Sequence, residues 1–439
     1  MNMKVEMWDK MQHIMARYND HMVHVLARFE GELDAPIIKK AFELAINKVK
    51  ILKSVFVWGL NEPSWREIEN FDVNDVFFFC EPDKDPLSFA EEKLLTIIKE
   101  TKEAQIKVWH IRHKGKDMLA VLLNHMCFDG ADTKVFLYYV AKIYNDLLRG
   151  GNGRLPIKQG ARDSQQVYKG LTPEEYDEAM KLISYSKKQK ARISYPFESA
   201  PCKERYPKIN KLVIDKDMFV RLKARTKEEG VSLNDIMLAA FFRATHKFVK
   251  LKEGQTLGIP NMVDLRRYLK NGETEGLCNL TSMVVSNIGD DIGKDIFETV
   301  RKVKDSMDAL KSHYPGLHGL PLLKKVLDII PYPIARFLIG TFFKNPLIGV
   351  SNIGIIDEKR FAFDGAEVGD VYMTGSVKYP PYMQLAISTF RNTVTHTVAV
   401  YGTRKDHEMF DKMLKYYNNE LKVFIENRSA AGEGEYKAS

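Results

Sequence analysis

Residues 122–134 read LLNHMCFDGADTK, and this stretch decides how the chain folds. The apolar run Leu119–Leu123 has the look of a buried strand, and it stops at Asn124. His125 follows, Asp129 and Gly130 come four and five positions later, and a helix-like segment begins at Ala131. A strand that ends on imidazole anchors the backbone and leaves the ring free to reach a cleft. Neutral imidazole, titrating near pH 6.5, is a suitable base at physiological pH. The aspartate can orient the ring or hold the loop, and Gly130 permits a sharp exit into the helix. A satisfied structural histidine is the competing account. With 11 histidines in the chain, a His-x3-Asp-Gly pattern arises by chance in roughly 3% of such sequences. The spacing alone therefore leaves both readings open.

Working outward, the pattern before His125 is mixed α/β. Residues 21–31 alternate like a strand, 35–50 carry helical spacing, 53–58 read as a strand and 86–101 as a helix. Residues 106–113 and 117–126 form a hairpin across HKGKD. The amphipathic helix 131–149 is closed by glycines at 150, 151 and 153. Residues 151–206 lose periodicity and read as linker-like, with 166–206 taken as the linker between a first domain, 1–165, and a second, 207–427. The second half restarts with a strand at 210–216 and a helix at 232–249, opened by a Ser232/Asp235 capping box. Strands follow at 256–263 and 281–287 and helical segments at 293–312 and 319–343. Four more strands are expected near 347–353, 369–374, 382–390 and 395–402, with a closing helix at 404–426. The tail, 428–439, is expected to be disordered. The fold class is thus α/β, as two side-by-side α+β two-layer sandwiches with a cleft between them.

Composition bounds the function. The chain has 439 residues, 45% of them apolar and 28% charged, and a net charge of +8, typical of a globular protein of two domains. Cys80, Cys127, Cys202 and Cys278 have neither metal-ligand nor redox spacing, which suits a reducing, cytoplasmic setting. The N-terminus lacks a signal-peptide core, and the longest apolar stretch, 332–343, contains Arg336 and is too short to span a bilayer. The basic patches 187–192 and 202–208 are either solvated linker charge or attraction for an anion, such as coenzyme A phosphates or an acidic carrier protein. No nucleic-acid motif accompanies them.

The segment Asn124–Gly130 resembles the HxxxDG signature of the chloramphenicol acetyltransferase-like superfamily, which includes condensation domains, wax ester synthases, plant BAHD enzymes and alcohol acetyltransferases. Condensation domains and wax synthases usually have a further histidine where this chain has Asn124. Residues 261–282, NMVDLRRYLKNGETEGLCNLTS, resemble the superfamily's V-D-x-R…G-N segment. That likeness implies that Arg266 pairs with Asp129, with Asn279 supporting the same region. GVSNIGIID (349–357) resembles the SN-x-G strand end, which points to Asn352 and Gly354. Asn352 could donate to an oxyanion, and a turn-forming Asn-x-Gly accounts for it equally well. Residues 379–402 resemble the C-terminal strand pair, which implies that Ser388 and Thr389 face the channel, with Ser388 a further candidate for holding the oxyanion.

The resemblance implies two chloramphenicol acetyltransferase-like domains forming a V around a central channel. It also implies transfer of an acyl group from a thioester, acyl-CoA or phosphopantetheine-linked, to an alcohol or amine. His125 would be the general base, with no covalent acyl-enzyme, metal or permanently bound cofactor. An acyl carrier protein and a lipidic acceptor are candidate partners. The alternatives are a trans-acting peptide-condensation enzyme and a non-catalytic binding protein on the same scaffold. Cys127 reads as a small packing residue, and His125 with Asp129 lacks a third metal ligand. The apolar block 320–343 is either core helix packed on the second sheet or a wall for an acyl chain, a lipidic acceptor or an interface.

Overall fold

Strand β2 (Met22–Phe29) shows how the first sheet is built. Val23, Val25, Ala27 and Phe29 enter one apolar core, and Met22 and Leu26 enter another on the opposite face, the two-residue alternation of a strand buried on both sides. In the computed structural model, which describes residues 2–181, 204–249, 256–269, 272–312, 314–343 and 345–427, β2 lies inside a five-stranded sheet. Its order is β12 (Val368–Thr374), β2, β7 (Lys116–Asn124), β6 (Ile106–His113) and β5 (Phe77–Cys80). Helices α1 (Met7–Met15), α2 (Ala35–Lys48) and α4 (Gly130–Leu148) contribute to the larger core, and α3 (Pro86–Leu94) covers the other face. A small sheet, β1 (Asn2–Lys4), β4 (Ser64–Glu67) and β3 (Ser54–Val57), completes this half.

The second sheet has six strands. Their order is β10 (Thr281–Asn287), β9 (Gly258–Asp264), β11 (Ile348–Ile355), β13 (Met383–Phe390), β14 (Thr393–Gly402) and β8 (Tyr206–Ile214). Helices α7 (Lys216–Glu228), α8 (Leu233–Phe248), α9 (Ile296–Lys311) and α12 (Arg404–Glu426) share one core with its strands. The capping box at Ser232 forms as the sequence suggests: its hydroxyl takes the Asp235 N–H at 3.1 Å, and Asp235 takes the Ser232 N–H at 2.8 Å.

The two halves exchange pieces across the division drawn at residue 206. Strand β12 leaves the second half to pair antiparallel with β2, Val371 opposite Ala27 and Thr374 opposite His24. Leu265, Leu277, Leu280 and Leu317 are buried in the first core. Helices α10 (Leu320–Ile329) and α11 (Tyr332–Phe342) pack there too, through Leu327, Tyr332 and Ala335. The expectation that block 320–343 packs on the second sheet is therefore corrected. Pro331 and Pro333 split the block in two, and the Tyr332 N–H donates to the Asn61 carbonyl at 2.7 Å in the first half. Within the region read as linker, α5 (Gln165–Tyr168) and α6 (Pro173–Met180) are formed. Residues 182–203, the basic patch at 187–192, Cys202 and the tail 428–439 lie outside the described residues.

Candidate active site

His125 lies one residue past the end of β7, and its backbone is fixed by the neighbouring strand. Asn124 pairs with Met22, and the His125 N–H donates to the His21 carbonyl at 2.8 Å. The Asn124 side chain is wholly structural in its bonding. Its Nδ2 donates to Gln105 Oε1 at 2.8 Å, and its Oδ1 accepts the Met126 N–H at 2.9 Å. The following loop is held at three carbonyls. Asn279 Nδ2 donates to those of His125 at 2.9 Å and Met126 at 3.3 Å, and Arg162 Nη2 donates to that of Cys127 at 2.7 Å. Arg162 is itself locked on buried Asp9 at 3.0 and 2.9 Å.

Asp129 closes the loop as the N-cap of α4, where Oδ1 takes the N–H groups of Ala131 and Asp132, each at 3.1 Å; a carboxylate here also suits the helix dipole. Arg266 meets it bidentately, at 2.9 and 3.1 Å, across 137 residues of sequence. The Leu280 N–H and the Thr281 hydroxyl, each at 2.9 Å, fill the remaining acceptor sites on Oδ2. Burial alone would raise the Asp129 pKa, but the guanidinium and these donors hold it below the ordinary carboxylate value. Asp132 shares Arg266 at 2.9 Å and takes the Cys278 N–H at 2.8 Å. Burial, with Asp129 beside it, pushes its carboxyl up to about 6. Asp129 is thus fully engaged in holding the loop. Among the described residues no ion pair joins His125 to a carboxylate, so the site has no Ser-His-Asp-type relay.

The His125 ring is set apart by its surroundings. Nδ1 is buried with no hydrogen-bond partner among the described residues, yet the residue keeps partial exposure. Burial lowers its pKa, with the Lys378 ammonium pushing the same way and Asp129 offsetting part of the effect. The ring is therefore neutral near pH 7, the state a base requires. Lys378 is itself pushed down to about 8 by burial, with Asp20 acting in the other direction. Burial raises the Cys127 thiol well above its usual value, which makes it a packing residue rather than an activated thiolate.

The remaining expected positions serve the frame. Gly130 does not adopt a positive φ; its role is close approach, since a Cβ there would lie 3.2 Å from Ile353 Cγ2 in β11. The expected sharp backbone exit is therefore replaced by packing of α4 against the second sheet. Asn352 is exposed, and its Oδ1 takes the Gly354 N–H at 3.0 Å. Gly354 has φ +81°, where only glycine is at ease. Lys134 of α4 donates to the flanking Ile353 and Ile355 carbonyls at 2.7 and 3.1 Å. Of the two readings left open for Asn-x-Gly, the turn is the one formed. Ser388 is buried, and its Oγ accepts the Met373 N–H at 3.1 Å. Met373 lies opposite Val25, which pairs with Val121, three residues or roughly 10 Å short of the strand end. Among the described residues neither Asn352 nor Ser388 forms a hydrogen bond with His125. Arg162, Asp132 and Lys378, which the sequence reading missed, are close to it or to its loop. Asp132 carried one usable signal, its place in the first turn of a helix capped by Asp129.

The family model of the WS/DGAT C-terminal domain matches residues 277–424. No curated protein matches the sequence. Solved structures match over nearly the whole chain. Polyketide synthase associated protein 5 from Mycobacterium tuberculosis is 15% identical with a TM-score of 0.64, over 97% of this chain and 99% of that one. The trichothecene 15-O-acetyltransferase from Fusarium sporotrichioides is 13% identical with a TM-score of 0.69, over 96% and 95%. The first condensation domain of the CDA synthetase is 12% identical with a TM-score of 0.68, over 98% and 97%. These are likenesses of fold, and the chain has the two-domain chloramphenicol acetyltransferase-like architecture that its motifs resemble.

Proposed function

We propose that this chain is an acyltransferase that moves an acyl group from a thioester to an alcohol or amine, with His125 as general base. The observation that carries this reading is a neutral, half-buried imidazole on a loop clamped by Asp129 and Arg266, with no carboxylate paired to its ring among the described residues. The acceptor's O–H or N–H gives its proton to His125 Nε2 as the oxygen or nitrogen bonds to the thioester carbonyl carbon. The tetrahedral intermediate then collapses, the C–S bond breaks, and the imidazolium returns the proton to the leaving thiolate. Atoms balance without an acyl-enzyme. Asp129 and Arg266 keep the loop rigid so that little reorganisation accompanies the reaction. The fold likeness to an O-acetyltransferase and to a condensation domain, and the match to the WS/DGAT C-terminal domain, support this class of chemistry.

The test is a screen of acyl-CoA and carrier-linked donors against alcohols and amines, with product detected by mass. One ester or amide should form for each thiol released, and the preferred donor decides between a free-standing acyltransferase and a carrier-dependent condensation enzyme. Thioester binding without product from any pair would leave the non-catalytic reading in its place.

A further inference from the structure

Helix α11 turns its apolar side the wrong way for a soluble surface. Tyr332 and Ala335 are buried beneath it, yet Ile334, Phe337 and Phe342 are 52%, 69% and 74% exposed. Ile329, at the end of α10, adds a further side chain at 78%, and Leu60 another at 95%. Leu60 precedes Asn61, whose carbonyl holds the start of α11. Side chains this large, clustered on one face, mark an interaction surface.

The charges around the patch say what meets it. Arg17, Lys325 and Arg336 form no ion pair among the described residues, whereas neighbouring Lys10 and Lys324 are paired with Glu62 and Asp328. Arg336 lies over the Trp58 ring at 4.9 Å, and Arg17 packs so closely on Gly340 that a Cβ there would sit 3.3 Å from its Nη1. Between α1 and α11 lies a cavity of about 460 Å³, lined by both arginines together with His13, Phe337, Gly340 and Thr341, and no carboxylate is among its lining residues.

We propose that this face docks on an anionic phospholipid bilayer. The headgroup phosphate sits between Arg17 and Arg336, and Phe337, Phe342 and Ile334 enter the acyl-chain boundary. Guanidinium forks suit phosphate oxygens, and an aromatic and aliphatic helix face with a cationic rim is how interfacial helices bind. The helix has 11 residues, too few to cross a membrane. A second copy of this chain would cover the apolar side chains but would set the same unpaired cations against each other across a two-fold axis. The inference does not depend on acyl transfer, because its readout is binding.

The experiment is flotation of the full chain with vesicles of phosphatidylglycerol and phosphatidylcholine in equal parts, against phosphatidylcholine alone. The chain should float with the anionic vesicles, bind the neutral ones at least about tenfold less, and release as salt rises. The double variant Phe337→Glu, Phe342→Glu should lose at least about tenfold in partition while keeping its circular dichroism spectrum. Arg17→Glu with Arg336→Glu should lose the preference for anionic lipid. Absence of flotation with anionic vesicles overturns the proposal, including when the chain instead proves to be a dimer through this face or captures an acyl carrier protein there. Variants that float like the wild type also overturn it.

Discussion

At the scale of residues, the site separates two groups that the sequence places four positions apart. His125 is kept neutral by burial, and Asp129 is spent on Arg266, Leu280, Thr281 and the start of α4. Turnover at limiting substrate should therefore rise with pH through a value below 6.5, the ordinary histidine value, and be flat from about pH 7 upward. A pH–rate profile that keeps climbing through neutrality would show that another group is the base. Arg266 neutralises two buried carboxylates, Asp129 and Asp132. Arg266→Ala leaves both uncompensated and should cost roughly 3–5 kcal/mol in urea unfolding. Arg266→Lys should recover only part, because one ammonium cannot reproduce the bidentate fork. This pairing was legible because Asp129, Arg266 and Asn279 stand inside recognisable motifs. Arg162 was not, because the glycine-, proline- and lysine-rich stretch around it looks like linker, and its partner Asp9 sits in a helix whose buried charges hide its apolar face.

At the scale of elements, the strand end at 352–354 changed meaning most. Asn352 folds its side chain onto the Gly354 N–H, and Lys134 binds the carbonyls on either side, so the turn is a joint between α4 and β11. Asn352→Ala should leave the turnover rate within about twofold of wild type, since the change removes one exposed hydrogen bond. A loss approaching a hundredfold would restore it as an oxyanion donor. Most elements could be read from periodicity, including β7, α4 and the strands of the second sheet. Others could not. The helix expected over 86–101 ends at Leu94, ahead of Thr96, Ile97 and Ile98, whose branching at Cβ disfavours further helix. Helix α1 was missed because Asp9 and Lys10 are buried with partners far along the chain, and charge in a sequence reads as surface.

At the scale of the molecule, chain order and packing part company. The two-sandwich architecture was legible from two rounds of strand and helix, but β12 closing the first sheet and Leu265, Leu277 and Leu280 entering the first core were not. Nothing local distinguishes a strand that stays in its own sheet from one that crosses to another. It follows that residues 1–206 expressed alone should not fold. They lack the partner for one edge of β2 and the Arg266 that neutralises Asp129. A cooperative thermal transition from that fragment, followed by circular dichroism, would contradict the interlocked account. Both contributions meet at His125, where a first-half strand end is held by second-half Asn279 and Arg266. The most direct measurement is thiol release from an acyl thioester, in the presence of a productive acceptor, by wild type and His125→Ala with matched unfolding curves. Loss of the imidazole should slow release by about 10²–10⁴-fold with little change in donor affinity. Undiminished release from the variant would contradict the assignment of His125 as the base.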